Sequence, residues 1–227
     1  MKVFISADIE GTAGIASWDE TNKGHADYTY FSRQMTAEVN AAISGAMKSG
    51  ASEILIRDAH GSARNIDPSA LPDCVRIIRG WARDPFMMMQ GIDASFDAVV
   101  FTGYHSPSGR GLNPLSHTMT GDIFSLKING ELVSEFLMNA MSAAYYKVPV
   151  VFLSGDAGIA KIARDKVPGI ETVVTNTGSG SSVDSIHPAK VVRLIEEGVS
   201  RAISNGSIKP MTLPEKFEVE IVYIEHT

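Results

Sequence analysis

Apolar positions along the chain follow two spacings, one typical of buried strands and one typical of amphipathic helices. Residues 2–8 begin with a short apolar run that predicts a strand. Residues 31–50 carry apolar side chains three and four positions apart, which predicts a helix that ends at Gly50. Strands and helices then alternate: strands over 53–58, 75–80, 97–103 and 148–156, and helices over 134–147 and 188–205. Such alternation predicts an α/β fold with a mainly parallel sheet flanked by helices.

Two shorter segments depart from this alternation. Residues 124–134 hold Asn129 and Gly130 between two apolar runs. This pair is the sequence signal for a two-residue turn, so we predict a β-hairpin excursion. Residues 175–185 are rich in Gly and Ser. They predict a loop, which is either a flexible connection or a cradle for an anion built from backbone amides.

Composition and charge narrow the classes of function. The chain has 227 residues, 44% hydrophobic and 20% charged, which is an ordinary globular composition. The formal net charge is −6, and the sequence has no dense Lys/Arg cluster. We therefore expect a small ligand and not a nucleic-acid partner. The sequence shows neither a signal-peptide order nor a run of membrane-spanning length, so we expect no membrane partner. Cys74 is the single cysteine, which fits a reducing cytoplasm.

Acidic and imidazole side chains collect where predicted strands end. Asp8 and Glu10 follow the first strand two residues apart, so on an extended chain they point the same way. His60 and His105 follow two further strands, and Glu135 opens the helix after the hairpin. Ligands of open α/β sheets bind beyond the carboxyl ends of the strands. Each residue alone is more typical of a structural role, but together they suit zinc, manganese or cobalt, and three acids with two histidines suit a two-metal hydrolase.

Other side chains near these candidates have competing interpretations. Asp58 ends a predicted strand, and it either orients a neighbouring imidazole or caps the end of the strand. Met87–Met89 could line an apolar pocket, but a run of this kind is more typical of a core. Trp18 and Trp81 are interpreted as packing, because no basic residues are interleaved with them as a nucleic-acid groove requires.

Five segments, in order and with similar spacing over nearly the whole chain, carry a family resemblance. They are "SADIEGTAGI", "RDAHGSARNI", "TGYHSPSG", "LSHTM" and "SEFLMNAMSAAYYKVPVVFLSGD". Together they resemble the D-aminopeptidase family encoded with bacterial dipeptide-transport genes, a family of dinuclear zinc peptidases. Each segment alone is weak evidence for this family, but the series of five is specific for it.

The resemblance implies a function, a cofactor and an assembly. The function is release of N-terminal D-amino acids such as D-alanine from short peptides by metal-activated water. Two Zn²⁺ per chain are implied, with Mn²⁺ or Co²⁺ as alternatives, together with a ring-like homo-oligomer. Residues 1–210 are expected to form the metallohydrolase domain, and residues 211–227 to begin a C-terminal segment that is longer in the family.

The same resemblance assigns roles residue by residue. Its metal ligands fall on Asp8, Glu10, His60, His105 and Glu135. Its catalytic histidine that does not bind metal falls on His117, in the loop "NPLSHTM". That imidazole would donate a hydrogen bond to the tetrahedral oxyanion or a proton to the leaving amine.

Two other classes of function stay open at this point. A metal-dependent amidase or phosphoesterase would use the same ligands on another small substrate, because fold and metals do not fix the substrate. A non-catalytic metal-binding or assembly protein would hold a structural ion, although a closed structural site does not need His117 beside it.

Overall fold

A seven-stranded sheet forms the centre of the protein in the computed structural model, which describes residues 1–109 and 112–225. The elements are β1 (Lys2–Ala7), α1 (Tyr28–Lys48), β2 (Glu53–Asp58), β3 (Val75–Ile78), β4 (Ala98–Tyr104), β5 (Ile123–Ile128), β6 (Glu131–Leu132), α2 (Glu135–Tyr145), β7 (Val150–Asp156), α3 (Ala157–Lys166), β8 (Glu171–Ser179), β9 (Ser182–Ser185), α4 (Pro188–Asn205) and β10 (Val219–Tyr223). The large sheet has the order β3-β2-β1-β4-β7-β8-β9, and every neighbouring pair except β8 with β9 is parallel. The predicted α/β fold with a mainly parallel sheet is confirmed.

Helices cover the large sheet on both faces. β1, β4 and β7 are buried along nearly their whole length, as strands covered on two sides must be. α1 packs against α4, and their closest approach is at Gly45, where a Cβ would lie 2.4 Å from the carbonyl oxygen of Glu196. α2 packs against α3 and β4, where Phe136 meets the ring of Phe101 edge to face. These two apolar layers hold the strand ends in fixed positions.

The winding direction of the sheet reverses between β1 and β4. β2 and β3 lie on one side of β1, whereas β4 and β7 lie on the other. The backbone that follows β1 runs very close to the end of β4: Gly11 N donates a hydrogen bond to the carbonyl of Gly103 at 2.8 Å. A Cβ on Gly11 would lie 1.8 Å from the Tyr104 carbonyl oxygen, and one on Gly103 would lie 2.1 Å from that of Asp8. Only glycine fits at these two positions, and the crevice beyond such a reversal is where α/β folds bind ligands.

The predicted hairpin is present and belongs to a second sheet. Asn129 and Gly130 join β5 to β6 with φ angles of 52° and 80°, the left-handed pair that a two-residue hairpin turn needs. β10 completes this sheet by pairing antiparallel to β5. The side chain of Asn129 accepts a hydrogen bond from Glu218 N at 2.8 Å and donates one to the carbonyl of Lys216 at 3.0 Å. The C-terminal segment is thereby tied to the hairpin.

One prediction about the chain was wrong. Residues 175–185 do not form a Gly/Ser loop; they form the antiparallel hairpin of β8 and β9, which turns at Gly180 with a φ of 59°. Gly and Ser are frequent here because the hairpin lies at the edge of the large sheet, where few side chains are buried. Among the described helices, none is both long enough and apolar enough to cross a membrane.

Candidate metal centre and cavity

The carboxyl edge of the large sheet gathers all six predicted site residues. They lie in the following places: Asp8 and Glu10 after β1, His60 after β2, His105 after β4, His117 in the loop between β4 and β5, and Glu135 at the first position of α2. The four acids and imidazoles Asp8, Glu10, His105 and Glu135 are buried, and His60 and His117 are partly exposed. The strand ends and one helix start therefore bring residues 127 positions apart in sequence into one site.

Asp8 lies between two groups of acids and imidazoles. On one side, Nδ1 of His60 lies 3.4 Å from Oδ1 of Asp8 and 3.1 Å from Oε1 of Glu10. On the other side, Nε2 of His105 lies 3.5 Å from Oδ2 of Asp8 and 3.6 Å from Oε1 of Glu135. In each group the three facing atoms lie within 4.8 Å of one another. Two adjoining groups that share a carboxylate are the arrangement that two-metal sites use.

His117 faces both groups. Its Nε2 lies 3.8 Å from Oε1 of Glu10 and 3.6 Å from Oε1 of Glu135. Its ring stacks on that of His105 with centroids 4.2 Å apart and planes 8° apart. With Glu10 and His105 it forms a third group, whose facing atoms also lie within 4.8 Å of one another. The distances alone therefore fit a metal ligand as well as a proton donor.

Backbone carbonyls fix the orientation of all three imidazoles. The carbonyl of Thr21 accepts a hydrogen bond from Nε2 of His60 at 3.0 Å, so Nδ1 faces the acids. His105 donates from Nδ1 to the Ser106 carbonyl at 3.0 Å, and His117 donates from Nδ1 to the Leu115 carbonyl at 2.9 Å. In each ring the nitrogen that faces the acids is the one free to bind a metal or to carry a second proton. Such carbonyl contacts are how proteins orient imidazole ligands.

Several buried atoms of the site have no hydrogen-bond partner in the described part of the chain. They are Oδ2 of Asp8, Oε2 of Glu10 and Nε2 of His105. A buried polar atom without a partner costs about 1–3 kcal/mol, and more when it is charged. Divalent cations would bind all three atoms, and carboxylate oxygen with imidazole nitrogen is a donor set that zinc accepts. The residues therefore fit a pair of such ions.

The acids and imidazoles also change one another's ionisation. Burial would raise the pKa of Asp8, but the neighbouring imidazoles of His105 and His60 hold that pKa well below its usual value. Burial would lower the pKa of His60, but the charges of Glu10 and Asp8 raise it well above its usual value. The pKa of His105 is raised in the same way, against burial, mainly by the charge of Glu135 and by Asp8. Metal ions would replace these protons, so binding of ions and release of protons are coupled.

Asp58 does not orient the imidazole that follows it. Its carboxylate accepts hydrogen bonds from the backbone N and the side-chain amide of Asn65, at 2.6 and 2.8 Å, and from Ile66 N at 2.8 Å. It therefore caps the loop after β2, the second of its two predicted interpretations. The imidazole of His60 is instead held by the carbonyl of Thr21, from a segment far away in sequence.

Asp156 anchors the loop that carries two of the site histidines, and sequence reasoning did not single it out. Its carboxylate accepts hydrogen bonds at 2.6 Å from both N and Oγ of Ser106, and at 3.1 Å from the side chain of Asn113. It also caps α3 by accepting from Ile159 N at 2.9 Å. Asp156 ends β7, so the expectation that ligand-site residues follow the carboxyl ends of strands could have identified it.

A cavity of about 740 Å³ opens onto these acids and imidazoles. Its volume lies within the range of small-molecule sites. Trp18, Trp81, Met87 and Met88 form much of its apolar lining. Trp18 packs edge to face against His117 with ring centroids 5.0 Å apart. The interpretation of these residues as packing was thus incomplete, because they enclose the space where a ligand would sit.

Comparisons with known proteins agree with the motifs. The profile of the peptidase family M55, described as D-aminopeptidase, matches residues 1–227. A D-aminopeptidase of Bacillus subtilis (strain 168) is 34% identical over 230 residues, which cover 100% of this chain and 82% of that relative. The solved structure of DppA from Bacillus subtilis, described as a Zn-dependent D-aminopeptidase and a self-compartmentalizing protease, matches with a TM-score of 0.94 at 32% identity, over 99% of this chain and 82% of that one. The chain belongs to the M55 family of D-aminopeptidases.

Proposed function

We propose that this protein is a zinc-dependent aminopeptidase that releases N-terminal D-amino acids, such as D-alanine, from short peptides. One observation carries the proposal: two groups of carboxylates and imidazoles share Asp8 at the buried end of a cavity, in a chain of the D-aminopeptidase family. The size of the cavity suits a short peptide.

We propose two Zn²⁺ per chain, with Mn²⁺ or Co²⁺ as alternatives, held by Asp8, Glu10, His60, His105 and Glu135. Asp8 would contact both ions, which is supported by its position between the two groups. When bound, the ions supply Lewis acidity toward the scissile carbonyl and an activated water.

His117 is proposed as the proton donor of the reaction. Its Nδ1–H is held by the Leu115 carbonyl, so its Nε2 is the atom that faces the site. An imidazole that keeps this bond and also donates from Nε2 must be the imidazolium form. From Nε2 it would donate to the oxyanion or deliver a proton to the leaving amine.

Hydrolysis by zinc-loaded protein tests the proposal directly. D-alanyl p-nitroanilide, L-alanyl p-nitroanilide and an aryl phosphate are offered to the same preparation. We expect turnover of the D-substrate well above that of the L-substrate and none of the phosphate. A preference for the L-form would remove the stereochemical part of the proposal. Turnover of the phosphate alone would favour the rival phosphoesterase. Turnover of amides that lack a free amino group would favour the rival amidase.

A homo-oligomer larger than a dimer, and ring-like, is proposed as the assembled form. DppA is described as self-compartmentalizing. The small sheet of this chain and the segment just before β10 also expose large apolar side chains, as surfaces that associate often do: Phe124, Phe217, Val219, Ile221 and Tyr223. Light scattering that gives a mass near the 24.4 kDa of one chain would contradict this assembly. We place the protein in the cytoplasm, which its single free cysteine supports.

A further inference from the structure

The charges that line the cavity are unequal. Its acidic lining residues are Asp8, Glu10, Asp84 and Glu135. Among the described residues of the lining, Arg83 is the single Lys or Arg. The Lys and Arg side chains that form ion pairs within the described chain are others: Lys48, Lys127, Lys161, Lys166 and Arg201. Arg83 thus lines the cavity and belongs to none of the ion pairs of the described chain.

The side chain and the carbonyl of the neighbouring acid, Asp84, both accept hydrogen bonds from the backbone. Oδ1 of Asp84 accepts a hydrogen bond from Phe86 N at 2.8 Å, and the Asp84 carbonyl accepts from Met87 N at 3.3 Å. Asp84 therefore serves the turn that follows it. Arg83 itself has a φ of 59°, in the left-handed region that side chains other than glycine seldom adopt. Strain of this kind is kept only where the surroundings fix it, and it often marks a ligand-binding position.

A buried arginine supplies that fixation. Arg57, on β2, is fully buried. Its Nη1 donates to the Gly80 carbonyl at 2.7 Å and its Nε to the Met87 carbonyl at 3.2 Å. Its guanidinium also stacks on the ring of Trp81 at 4.2 Å. The segment 80–87, which we call the wall segment, is clamped at both ends, so Arg83 is carried by a fixed backbone and not by a loose loop.

The chemistry of the substrate indicates what this cation binds. A short peptide is a zwitterion, with an ammonium group at one end and a carboxylate at the other. In the proposed reaction the ammonium end and the scissile carbonyl lie at the acids and imidazoles. The carboxylate end then needs a cation elsewhere in the same cavity, and a guanidinium binds a carboxylate through two parallel hydrogen bonds.

We propose that Arg83 binds the C-terminal carboxylate of the peptide and makes the enzyme prefer short peptides with a free C-terminus over amides and anilides. This inference rests on the proposed function, because it takes the N-terminal end of the substrate to lie at the metal-binding groups. It names Arg83 as a specificity-determining residue, which contacts the carboxylate of the substrate and not the bond that is broken.

The test compares matched substrates on matched variants. Wild type, Arg83→Gln and the control Arg79→Gln, an exposed arginine beside the wall segment that does not line the cavity, are assayed on D-alanyl-D-alanine and on its amide. In Arg83→Gln we expect kcat/KM for the free acid to fall by roughly 10- to 100-fold, mainly through KM, while the amide changes by less than about twofold. Equal losses on both substrates, or no loss on the acid, would overturn the proposal.

Two further measurements separate the remaining outcomes. D-alanyl-D-glutamic acid α-amide carries its carboxylate on the side chain. If Arg83→Gln impairs this substrate and not D-alanyl-D-alanine, the site recognises acidic side chains and the proposal for the C-terminus is wrong. If wild type turns over none of these compounds, the proposed function fails, and calorimetry of D-alanyl-D-alanine and its amide then decides the subsite. If wild type binds D-alanyl-D-alanine more tightly than its amide and Arg83→Gln does not, the subsite is supported. If wild type binds both compounds with equal affinity, the proposal is overturned.

Discussion

The carboxyl edge of the large sheet and the wall segment meet in one cavity, but they are built differently. The edge holds its acids and imidazoles at the ends of buried parallel strands, where glycine backbones touch and carbonyls fix each ring. The wall segment has almost no regular structure, places Arg83 and Met87 in left-handed conformations and depends on one buried arginine. In the proposed function, the groups that need fixed distances for the reaction lie at the carboxyl edge. The proposed contact that selects the substrate lies on the wall segment.

The largest effect is expected from the carboxylate that both groups share. Asp8→Asn removes a charge from each group at once, so we expect loss of both ions and a fall in kcat of roughly 10⁴-fold. Elemental analysis after dialysis, together with hydrolysis of D-alanyl p-nitroanilide, measures the two effects. Asp73→Asn, an exposed acid, serves as control. Retention of two ions by Asp8→Asn would show that the edge does not depend on this residue.

Replacing His117 separates chemistry from ion binding at the edge. In His117→Ala we expect both ions to stay bound while kcat falls by roughly 10²- to 10⁴-fold, as for loss of a general acid or oxyanion donor. KM should move little if the contact forms mainly in the transition state. His187→Ala, at the start of α4, is the matched control. If His117→Ala loses an ion, His117 is a ligand; if it keeps full activity, the proposed proton donor is wrong.

A third prediction concerns the support of the edge. Glu38 on α1 is buried and accepts a hydrogen bond at 3.0 Å from Ala13 N, in the loop that follows Glu10. Burial raises its pKa from 4.5 to about 7. A carboxyl group with a raised folded-state pKa stabilises the fold fully below pH 4.5, and this contribution is lost as the pH rises through about 7.

Glu38→Gln should therefore remove that pH dependence. At pH 8 we expect the variant to be more stable than wild type by on the order of 3 kcal/mol, with the difference vanishing toward pH 4. Urea unfolding at several pH values measures it, with the exposed Glu197→Gln as control. Equal stability of wild type and Glu38→Gln at both pH 4 and pH 8 would show that burial does not raise the pKa of Glu38.

The smallest effect is expected where the apolar lining touches the edge. Trp18 packs on His117, and an aromatic contact of this kind is worth about 0.5–1.5 kcal/mol. In Trp18→Ala we expect kcat to fall by about 2- to 10-fold with both ions retained, and Trp18→Phe to recover most of the loss. A change confined to KM would instead indicate that Trp18 contacts the substrate and does not position the imidazole.

Sequence reasoning was more successful for the edge than for the wall segment. Strand ends are predictable from apolar periodicity, and parallel strands bring their carboxyl ends together, so the sequence predicted that Asp8, His60 and His105 lie at the same end of the sheet. The wall segment has no period that a pattern could detect. The role of Trp81 depends on Arg57 beneath it, and the orientation of His60 depends on a carbonyl 39 residues away. Contacts of this kind exist only once the chain has folded.

The clamp that holds the wall segment has a consequence for divergence within the family. Arg57 donates hydrogen bonds to backbone carbonyl oxygens, which every amino acid carries, so these bonds do not depend on the side chains of Arg83 and Met87. Substitutions at Arg83 or Met87 can therefore accumulate without loosening the backbone that displays them. New substrate preferences can then arise through changes in the wall segment, while the reactive edge remains unaltered. A mutant library aimed at altered selectivity is best concentrated on these exposed positions, with Arg57, Gly11 and Gly103 held constant.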